Sequence, residues 1–272
     1  MPGLSKRELR QKTICGVLLA LIGIALLVLG VLLFTKALNK NSNAVQDNDK
    51  ESDAGTVLDS SRQDEEDLPA SSYNIDISEY EEYIYTEDEK YLMLVNPENS
   101  CGKYVPDDLV YSSDATEYDF SGYNIDRVVL KALTAMCLEA ESDGIFGIDI
   151  TSAYRSYAYQ DALFGHYCDQ EMSKNPSLTR KEAEEIVSTY SCRAGTSEHQ
   201  TGLCVDLRVR GDNDSLLEES FADTGAGAWL AENCERFGFI LRFPAEKTDK
   251  TGIIYEPWHF RFVGYKAANE MK

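Results

Sequence analysis

The pattern of apolar and polar positions first sets apart a segment near the N-terminus. From Ile14 to Phe34 the chain is apolar and uncharged for about 21 residues, which as a helix would cross a hydrocarbon layer of about 30 Å. A secretory signal peptide usually has a shorter apolar core of about 7–15 residues and a small-residue cleavage site, whereas this run ends in Leu-Leu-Phe-Thr-Lys. The pattern therefore predicts an uncleaved transmembrane helix over residues 14–35.

Charged residues around this span predict its orientation. Four basic residues precede it: Lys6, Arg7, Arg10 and Lys12. The positive-inside bias therefore places residues 1–13 in the cytoplasm and the rest of the chain outside. Residues 36–85 are acidic, and their first half has too few large apolar residues to fold, so they are predicted to form a flexible extracellular linker. The first residues expected to pack on the folded domain are three tyrosines near the end of this linker: Tyr80, Tyr83 and Tyr85.

Residues 86–272 carry helical and strand patterns and are predicted to form one domain. Apolar residues at helical spacing, with start and stop signals, predict helices over 125–144, 156–172, 177–190 (begun by a capping serine) and 227–238. Apolar and alternating runs predict strands over 91–96, 145–152, 202–209, 239–244 and 259–264. This order lacks regular βαβ alternation, so it predicts an α+β domain with a mostly antiparallel sheet flanked by helices.

Composition narrows the classes of function. The net charge is −21, and a nucleic-acid-binding surface would need clustered Lys and Arg, so no nucleic acid is expected as partner. Six of the seven cysteines lie in the predicted extracellular part, where disulfides are permitted, and Cys168 and Cys192 are one candidate pair. None of the six forms a CxxC pair, which argues against a cysteine zinc cluster. The oligomeric state is not indicated.

The chain has only three histidines, and two of them lie near carboxylates in apolar and aromatic surroundings. One is His199 in SEHQTGLCVD, seven positions before Asp206. The other is His259 in YEPWHFRF, three positions after Glu256. A hydrolytic zinc ion typically has three protein ligands, drawn from His and carboxylates, and one open position. His199, Asp206 and His259 are therefore candidate zinc ligands, with ordinary hydrogen-bonded histidines as the alternative.

Strand and turn geometry would let these residues converge. In GLCVDLRV a period of two puts Asp206 on one face of a strand and its apolar neighbours on the other, so Asp206 is expected to face a cleft. Gly202 can supply the backbone freedom that folds His199 back towards Asp206. Pro257 biases Glu256 to an extended conformation, and a bend there would bring this carboxylate beside the metal as a general base.

Four ordered motifs resemble those of the D-alanyl-D-alanine carboxypeptidase family typified by VanY. The similarity spans residues 91–264, nearly the whole predicted domain. SEHQTGLCVD resembles the family motif SxHxxGxAxD, and YEPWHFRFVG resembles EPWHxR. SAYRSYAYQDALF resembles the motif SGYRSxxxQ, and YLMLVNPENSCGKYVPDDLV resembles the segment with which the family domain begins. The resemblance implies a Hedgehog/DD-peptidase-like domain of the α+β class.

Carried over position by position, the resemblance implies a catalytic zinc site. Its Zn²⁺ ligands would be His199, Asp206 and His259, and Glu256 would be the catalytic base.

The resemblance also implies three residues that act on the substrate. Arg155 would stabilise the oxyanion or hold the substrate, with a structural salt bridge as the alternative. Gln160 and Ser197 would line the substrate pocket with hydrogen-bonding groups.

Two positions depart from the family pattern. Cys204 replaces the usual alanine two residues before Asp206. A fourth zinc ligand there would close the site and abolish catalysis, but a free cysteine often behaves as a small buried apolar residue, which is the expectation here. Ala153 stands where glycine is common and would slightly change the approach to Arg155. His166 belongs to none of the motifs and is expected on a helix surface.

The favoured hypothesis is a membrane-anchored zinc carboxypeptidase that releases the C-terminal D-alanine of peptidoglycan stem peptides. An L,D-carboxypeptidase acting on tetrapeptide stems is the close alternative, because the motifs do not separate the two bonds. A non-catalytic zinc or cell-wall-binding module is a second class of function. A scaffold that works through the acidic linker is a third.

Overall fold

The computed structural model describes residues 73–272. The predicted cytoplasmic tail (1–13), the predicted transmembrane helix (14–35) and most of the predicted linker lie outside the described residues. Within residues 73–272, no helix is both long and apolar enough to cross a membrane. The structure therefore bears on the predicted extracellular domain, and the membrane anchor stays a prediction.

Helices and strands alternate irregularly along the described residues. The α-helices are α1 (Glu81–Ile84), α2 (Ser112–Ala115), α3 (Arg127–Ser142), α4 (Tyr157–Lys174), α5 (Arg180–Val187), α6 (Gly225–Asn233), α7 (Thr248–Thr251) and α8 (Tyr265–Met271). The strands are β1 (Leu109–Tyr111), β2 (Asn124–Asp126), β3 (Ile148–Ser152), β4 (Cys204–Val209), β5 (Phe239–Leu241) and β6 (His259–Phe262). Short 3₁₀ turns occupy Glu89–Leu92, Glu198–Thr201, Glu219–Asp223, Cys234–Phe237 and Ala245–Lys247.

Four strands form an antiparallel sheet in the order β3-β4-β6-β5, and β1 pairs with β2 in a separate antiparallel sheet. This arrangement confirms the predicted α+β class. In the register of the two central strands, Asp206 lies opposite His259, and Cys204 lies opposite Arg261. Two motifs that are far apart in sequence therefore meet in the middle of the sheet.

The apolar face of α3 packs against this sheet. Asp126 begins the helix as its N-cap, because its carboxylate accepts a hydrogen bond from Val128 N. Residues of the helix at apolar spacing are fully buried: Val129, Leu133 and Met136. The same core includes, from β4, Val205 and Leu207. The alternation of β4 therefore turns Asp206 towards the opposite face, as the sequence predicts.

The strand predicted over 91–96 is not formed. Its first residues belong to the 3₁₀ turn Glu89–Leu92. Tyr91 and Val95 are buried, whereas the leucines between them are exposed. A short apolar run does not by itself distinguish a strand from a packed turn, and here the spacing of the buried residues favours the turn.

The helix predicted over 177–190 is present as α5, but Thr179 caps it rather than a serine. The Thr179 hydroxyl accepts from Glu182 N, while the Glu182 carboxylate accepts from Thr179 N, which is a capping box. The capping position depends on the glutamate three residues later, and Ser177 lacks one.

Helices α4 and α5 form a subsidiary core of their own, composed of Phe164, Cys168, Ala183 and Val187. All six cysteines of the described residues are free thiols, so the suggested Cys168–Cys192 disulfide is not formed. Cys168 is enclosed between the two helices, whereas Cys192 lies in the wall of the cavity described below.

The packed domain extends further towards the N-terminus than the sequence predicts. Residues 73–85 were assigned to the linker, yet the Tyr73 hydroxyl donates to the Arg236 carbonyl at 2.7 Å. Ile84 is fully buried, and Tyr85 packs edge-on against Tyr265 with ring centroids 4.9 Å apart. The acidic composition of this segment masks its few apolar anchors, which find partners only in the folded domain.

Candidate functional site

His199, Asp206 and His259 converge in the structure. Nε2 of His199 lies 3.2 Å from Oδ2 of Asp206, and Nδ1 of His259 lies 2.9 Å from Oδ1 of the same carboxylate. The two imidazole rings are nearly perpendicular, with centroids 5.0 Å apart. All three side chains are almost completely buried. Each imidazole therefore contacts a different oxygen of the Asp206 carboxylate.

The backbone around His199 explains how it reaches Asp206. The 3₁₀ turn Glu198–Thr201 ends at Gly202, whose φ of 71° lies in the left-handed region that glycine tolerates. A Cβ at that position would also approach Leu109 Cδ2 at 3.0 Å. Nδ1 of His199 lies 2.7 Å from the Ala153 carbonyl oxygen, which can only accept, so Nδ1 is the donor and Nε2 faces Asp206.

Electrostatic interactions hold both His199 and Asp206 in their charged forms in the metal-free protein. Burial and the nearby Arg155 guanidinium act to lower the pKa of His199, but Asp206 and Cys204 together outweigh both and raise it to about 9. Burial acts to raise the pKa of Asp206, but the two imidazoles hold it well below its usual range. The carboxylate is therefore ionised and available as a ligand.

Glu256 lies at the edge of this cluster, as the bend at Pro257 predicts. Its Oε2 is 3.7 Å from Nδ1 of His259, and His259 N donates to the Glu256 carbonyl across the turn. Burial raises the pKa of Glu256 to about 7; His259 opposes this change, and Asp206 adds to it. A carboxyl group with this pKa can accept and release a proton near neutrality.

Arg155 joins the cluster through an ion pair. Its Nη2 donates to Oδ2 of Asp206 at 2.9 Å, and its Nε donates to the Ser152 hydroxyl at 2.9 Å. Its backbone N–H donates to the His199 carbonyl, which ties the YRS motif to the SEH motif. The side chain also lines the cavity, so it combines the salt bridge with a position near the substrate.

Gln160 does not line the cavity, contrary to the prediction from the resemblance. Its side chain is fully buried, and its Nε2 donates to the Cys192 carbonyl at 2.7 Å. It therefore supports the wall of the cavity from behind. Ser197 does lie in the wall, and its hydrogen bond to a substrate stays a prediction.

The cavity next to the cluster has a volume of about 570 Å³, within the range of small-molecule sites. Its floor contains the two imidazoles, Asp206 and Glu256. Apolar and aromatic residues form much of its wall, namely Val95, Tyr167, Tyr190, Phe243, Ile253 and Trp258. The cavity therefore presents a polar floor to a ligand held between apolar walls.

Cys204 is part of the cluster rather than of the apolar core. Its Sγ and one ring nitrogen each of His199 and His259 lie within 4.8 Å of one another. Burial acts to raise the pKa of the Cys204 thiol, but the two imidazoles lower it to about 6. A sulfur atom thus lies beside the two nitrogen donors, where the family pattern has alanine.

Replacing Cys204 with alanine is expected to leave zinc content and peptide hydrolysis within about threefold of the wild type. The two imidazoles and the Asp206 carboxylate, which are the candidate ligands, would already supply the three protein ligands of a hydrolytic zinc site. The measurement is zinc stoichiometry of the purified variant, with D-alanine release from a pentapeptide. Loss of zinc from the variant would instead identify the thiolate as a required ligand.

Glu198 is a buried member of the site that the sequence analysis did not single out. Its Oε1 accepts from Nε of Arg242 at 2.8 Å, and Nη1 of Arg261 lies 3.4 Å away. Burial acts to raise the pKa of Glu198, but His259, Arg261 and Arg242 lower it to about 2. The signal in the sequence was an acid directly before His199 in a segment with few other charges.

The donor set suits zinc. Imidazole nitrogen and carboxylate oxygen are usual ligands of Zn²⁺ in hydrolases, and the cluster opens onto a cavity on the side of Glu256. The side chains of His199, Asp206 and His259 would hold the ion, with Glu256 beside it.

A family profile described as VanY, D-alanyl-D-alanine carboxypeptidase, matches residues 122–265, which include the YRS, SEH and EPWH motifs. The protein YodJ of Bacillus subtilis (strain 168), to which carboxypeptidase activity is provisionally ascribed, is 38% identical over 185 residues. That match covers 66% of this chain and 62% of YodJ, so the chain spans less than two thirds of this relative.

Two solved structures share the fold. A mutant of the vancomycin resistance D,D-pentapeptidase VanY, in complex with Zn(II), aligns with a TM-score of 0.55 at 31% identity, over 67% of this chain and 93% of that chain. The LD-carboxypeptidase LdcB aligns with a TM-score of 0.55 at 34% identity, over 69% of this chain and 83% of that chain. Because the profile covers more than half of the sequence, this chain belongs to the VanY family of D-alanyl-D-alanine carboxypeptidases.

Proposed function

We propose that this chain is a membrane-anchored zinc carboxypeptidase that releases the C-terminal D-alanine of peptidoglycan stem peptides outside the cell. The observation that carries the activity is the convergence of His199, Asp206 and His259 beside Glu256 on the floor of a cavity. The membrane anchor is supported by the apolar segment at residues 14–35 and the basic residues before it.

Zinc bound to the three ligands would polarise the scissile carbonyl and lower the pKa of a water molecule from about 15.7 towards about 7. Glu256 lies beside His259, where its carboxylate would accept a proton from the attacking water and return it to the departing amine of D-alanine. Arg155, beside Asp206, supplies positive charge where the carbonyl oxygen becomes negative or where the terminal carboxylate binds.

The proposal is tested by mass spectrometry of defined stem peptides after incubation with the full-length protein in detergent. The expected result is loss of one D-alanine from the pentapeptide, with none after treatment with a zinc chelator. An unchanged pentapeptide in the presence of fully zinc-loaded protein would overturn the proposal.

L,D-carboxypeptidase activity is the second candidate function, because LdcB, an LD-carboxypeptidase, is similar over 69% of this chain. The same cluster would act on either bond, and the residue before the scissile bond is recognised by the walls of the cavity. A tetrapeptide stem in the same assay separates the two readings. Release from the tetrapeptide but not from the pentapeptide would favour the L,D activity.

Removing the metal is expected to make the stability of the domain fall as pH rises from about 6.5 to about 9. The pKa of His199 in the folded, metal-free protein is about 9, above its ordinary value of 6.5. Its proton therefore stabilises the fold below pH 6.5, and this stabilisation is lost as pH rises through the folded pKa. The raised pKa of His259 acts in the same direction, whereas the Cys204 thiol, whose pKa is lowered to about 6, adds stability as pH rises and opposes the two histidines. The zinc-loaded protein should not show the decline, because a histidine that holds a metal ion does so in its neutral form.

The measurement is thermal unfolding of chelated and zinc-loaded protein across this range of pH. A melting temperature of the chelated protein that stays constant or rises between pH 6.5 and 9 would contradict the expectation that the protons of the two imidazoles outweigh the Cys204 thiolate.

A further inference from the structure

Among the described residues, two buried side-chain atoms lack a hydrogen-bond partner, and they face each other. They are Oε2 of Glu198 and Nε2 of His259. The distance between them is 3.8 Å, beyond the range of a hydrogen bond. Buried polar atoms rarely lack a hydrogen-bond partner. This pair therefore indicates a state of the protein in which the two atoms form a hydrogen bond with each other.

Glu198 is held firmly on its other side. Its Oε1 contacts Arg242 and Arg261, and Nη2 of Arg261 donates to the carbonyls of Tyr91 and Met93. The carboxylate is only 5% exposed. Its second oxygen is therefore directed at the His259 ring by contacts that do not depend on the ring.

The zinc ligand set demands a particular tautomer of His259. Nδ1 is the ring atom that faces Asp206 and Glu256, at 2.9 and 3.7 Å. A neutral imidazole that uses Nδ1 as a metal ligand must carry its proton on Nε2, and Glu198 is the carboxylate that Nε2 faces. His199 has the opposite arrangement, because its Nδ1 donates to Ala153 and its Nε2 faces the metal position.

We propose that Glu198 is the positioning residue for His259, accepting a hydrogen bond from its Nε2–H when zinc is bound. The inference rests on the zinc site of the proposed function, but not on the reaction. An approach of about 0.8 Å would convert the contact into a hydrogen bond of ordinary length. Such carboxylate–histidine–metal contacts fix the ring and raise the basicity of the ligand nitrogen.

The first test compares zinc affinities of Glu198→Gln and Glu139→Gln by competition with a chromophoric chelator. Glu139 is a matched control, because it is also a buried glutamate paired with an arginine, Arg236, at 2.8 Å, and it lies outside the cavity. Glu198→Gln is expected to weaken zinc binding about 10- to 100-fold, and Glu139→Gln to leave it within about threefold. Equal affinities for the wild type and Glu198→Gln would overturn the proposal.

The second test does not require a variant that folds. In nitrogen-15 NMR spectra of the zinc-loaded wild type, the three histidines give few imidazole signals. His259 should carry its proton on Nε2 and exchange it slowly with water, while His199 carries its proton on Nδ1 and exposed His166 exchanges fast. The Nδ1–H tautomer at His259 would overturn the proposal.

The thiol of Cys204 also lies near these rings, so the same spectra of Cys204→Ala provide a control. The slowly exchanging Nε2–H of His259 should persist without the thiol, and its loss would assign the acceptor to Cys204 instead. Both tests are independent of hydrolysis. If the zinc-loaded protein gives the expected affinities and NMR signals but cleaves no peptide, the proposed function is refuted and the role of Glu198 stands. If the wild type binds no zinc, both proposals are refuted.

Discussion

Replacing Glu256 with glutamine is expected to lower kcat for D-alanine release about a thousandfold while the protein keeps its zinc. Glutamine has nearly the same shape but cannot accept a proton, and proton transfer by a positioned carboxylate contributes about 10²- to 10⁴-fold to the rate. The three proposed zinc ligands are unchanged, so the ion should remain. The measurements are kcat for a pentapeptide and the zinc content of the same preparation.

The matched control for this variant is Glu246→Gln. Glu246 is exposed and does not line the cavity, so the same loss of charge there should leave kcat unchanged. Glu256→Gln with more than about a third of the wild-type kcat would remove Glu256 from the mechanism. Loss of zinc in this variant would assign it a structural part in the site instead.

Replacing Asp206 with asparagine is expected to abolish both stoichiometric zinc binding and hydrolysis. This carboxylate contacts both imidazoles and Arg155, at 3.2, 2.9 and 2.9 Å. The amide offers a neutral oxygen, which is a poor ligand for zinc, and leaves the Arg155 charge without its partner. The measurement is zinc content after dialysis, together with D-alanine release.

Asp149→Asn is the control for a general effect of losing a buried aspartate from the sheet. Asp149 lies on β3, is fully buried and pairs with Arg208 at 2.8 Å, as Asp206 pairs with Arg155. Its replacement should lower stability but leave zinc binding intact, since it does not contact the cluster. If Asp206→Asn kept its zinc while Asp149→Asn lost it, the assignment of the ligands would be wrong.

The sequence by itself determined the fold class and most of the helices. The helix predicted over 125–144 appears as α3, because its apolar spacing and its cap are local features that the chain carries with it. The alternation in GLCVDLRV likewise placed Asp206 on the face opposite Val205 and Leu207. The motifs identified the family, because they contain in the same order and spacing the residues that the fold brings together.

The sequence failed where a residue's role depends on what lies across from it. The SGYRSxxxQ motif predicts that Gln160 lines the substrate pocket. In the structure its amide donates to the Cys192 carbonyl behind the wall of the cavity. Residues 73–79 have the composition of a linker, but Tyr73 and Ile77 pack on the domain ahead of the tyrosines that were expected to do so. In both cases the decisive contact joins residues far apart along the chain.

Tertiary structure alone decided the surroundings of the candidate ligands. The pairing of β4 with β6 sets Asp206 opposite His259, and it brings the Cys204 sulfur to the same imidazoles. Folding also places Glu198, which directly precedes His199 in the sequence, against the ring of His259. Local periodicity states which face a side chain occupies, but only the packing of distant segments states which atoms it meets there.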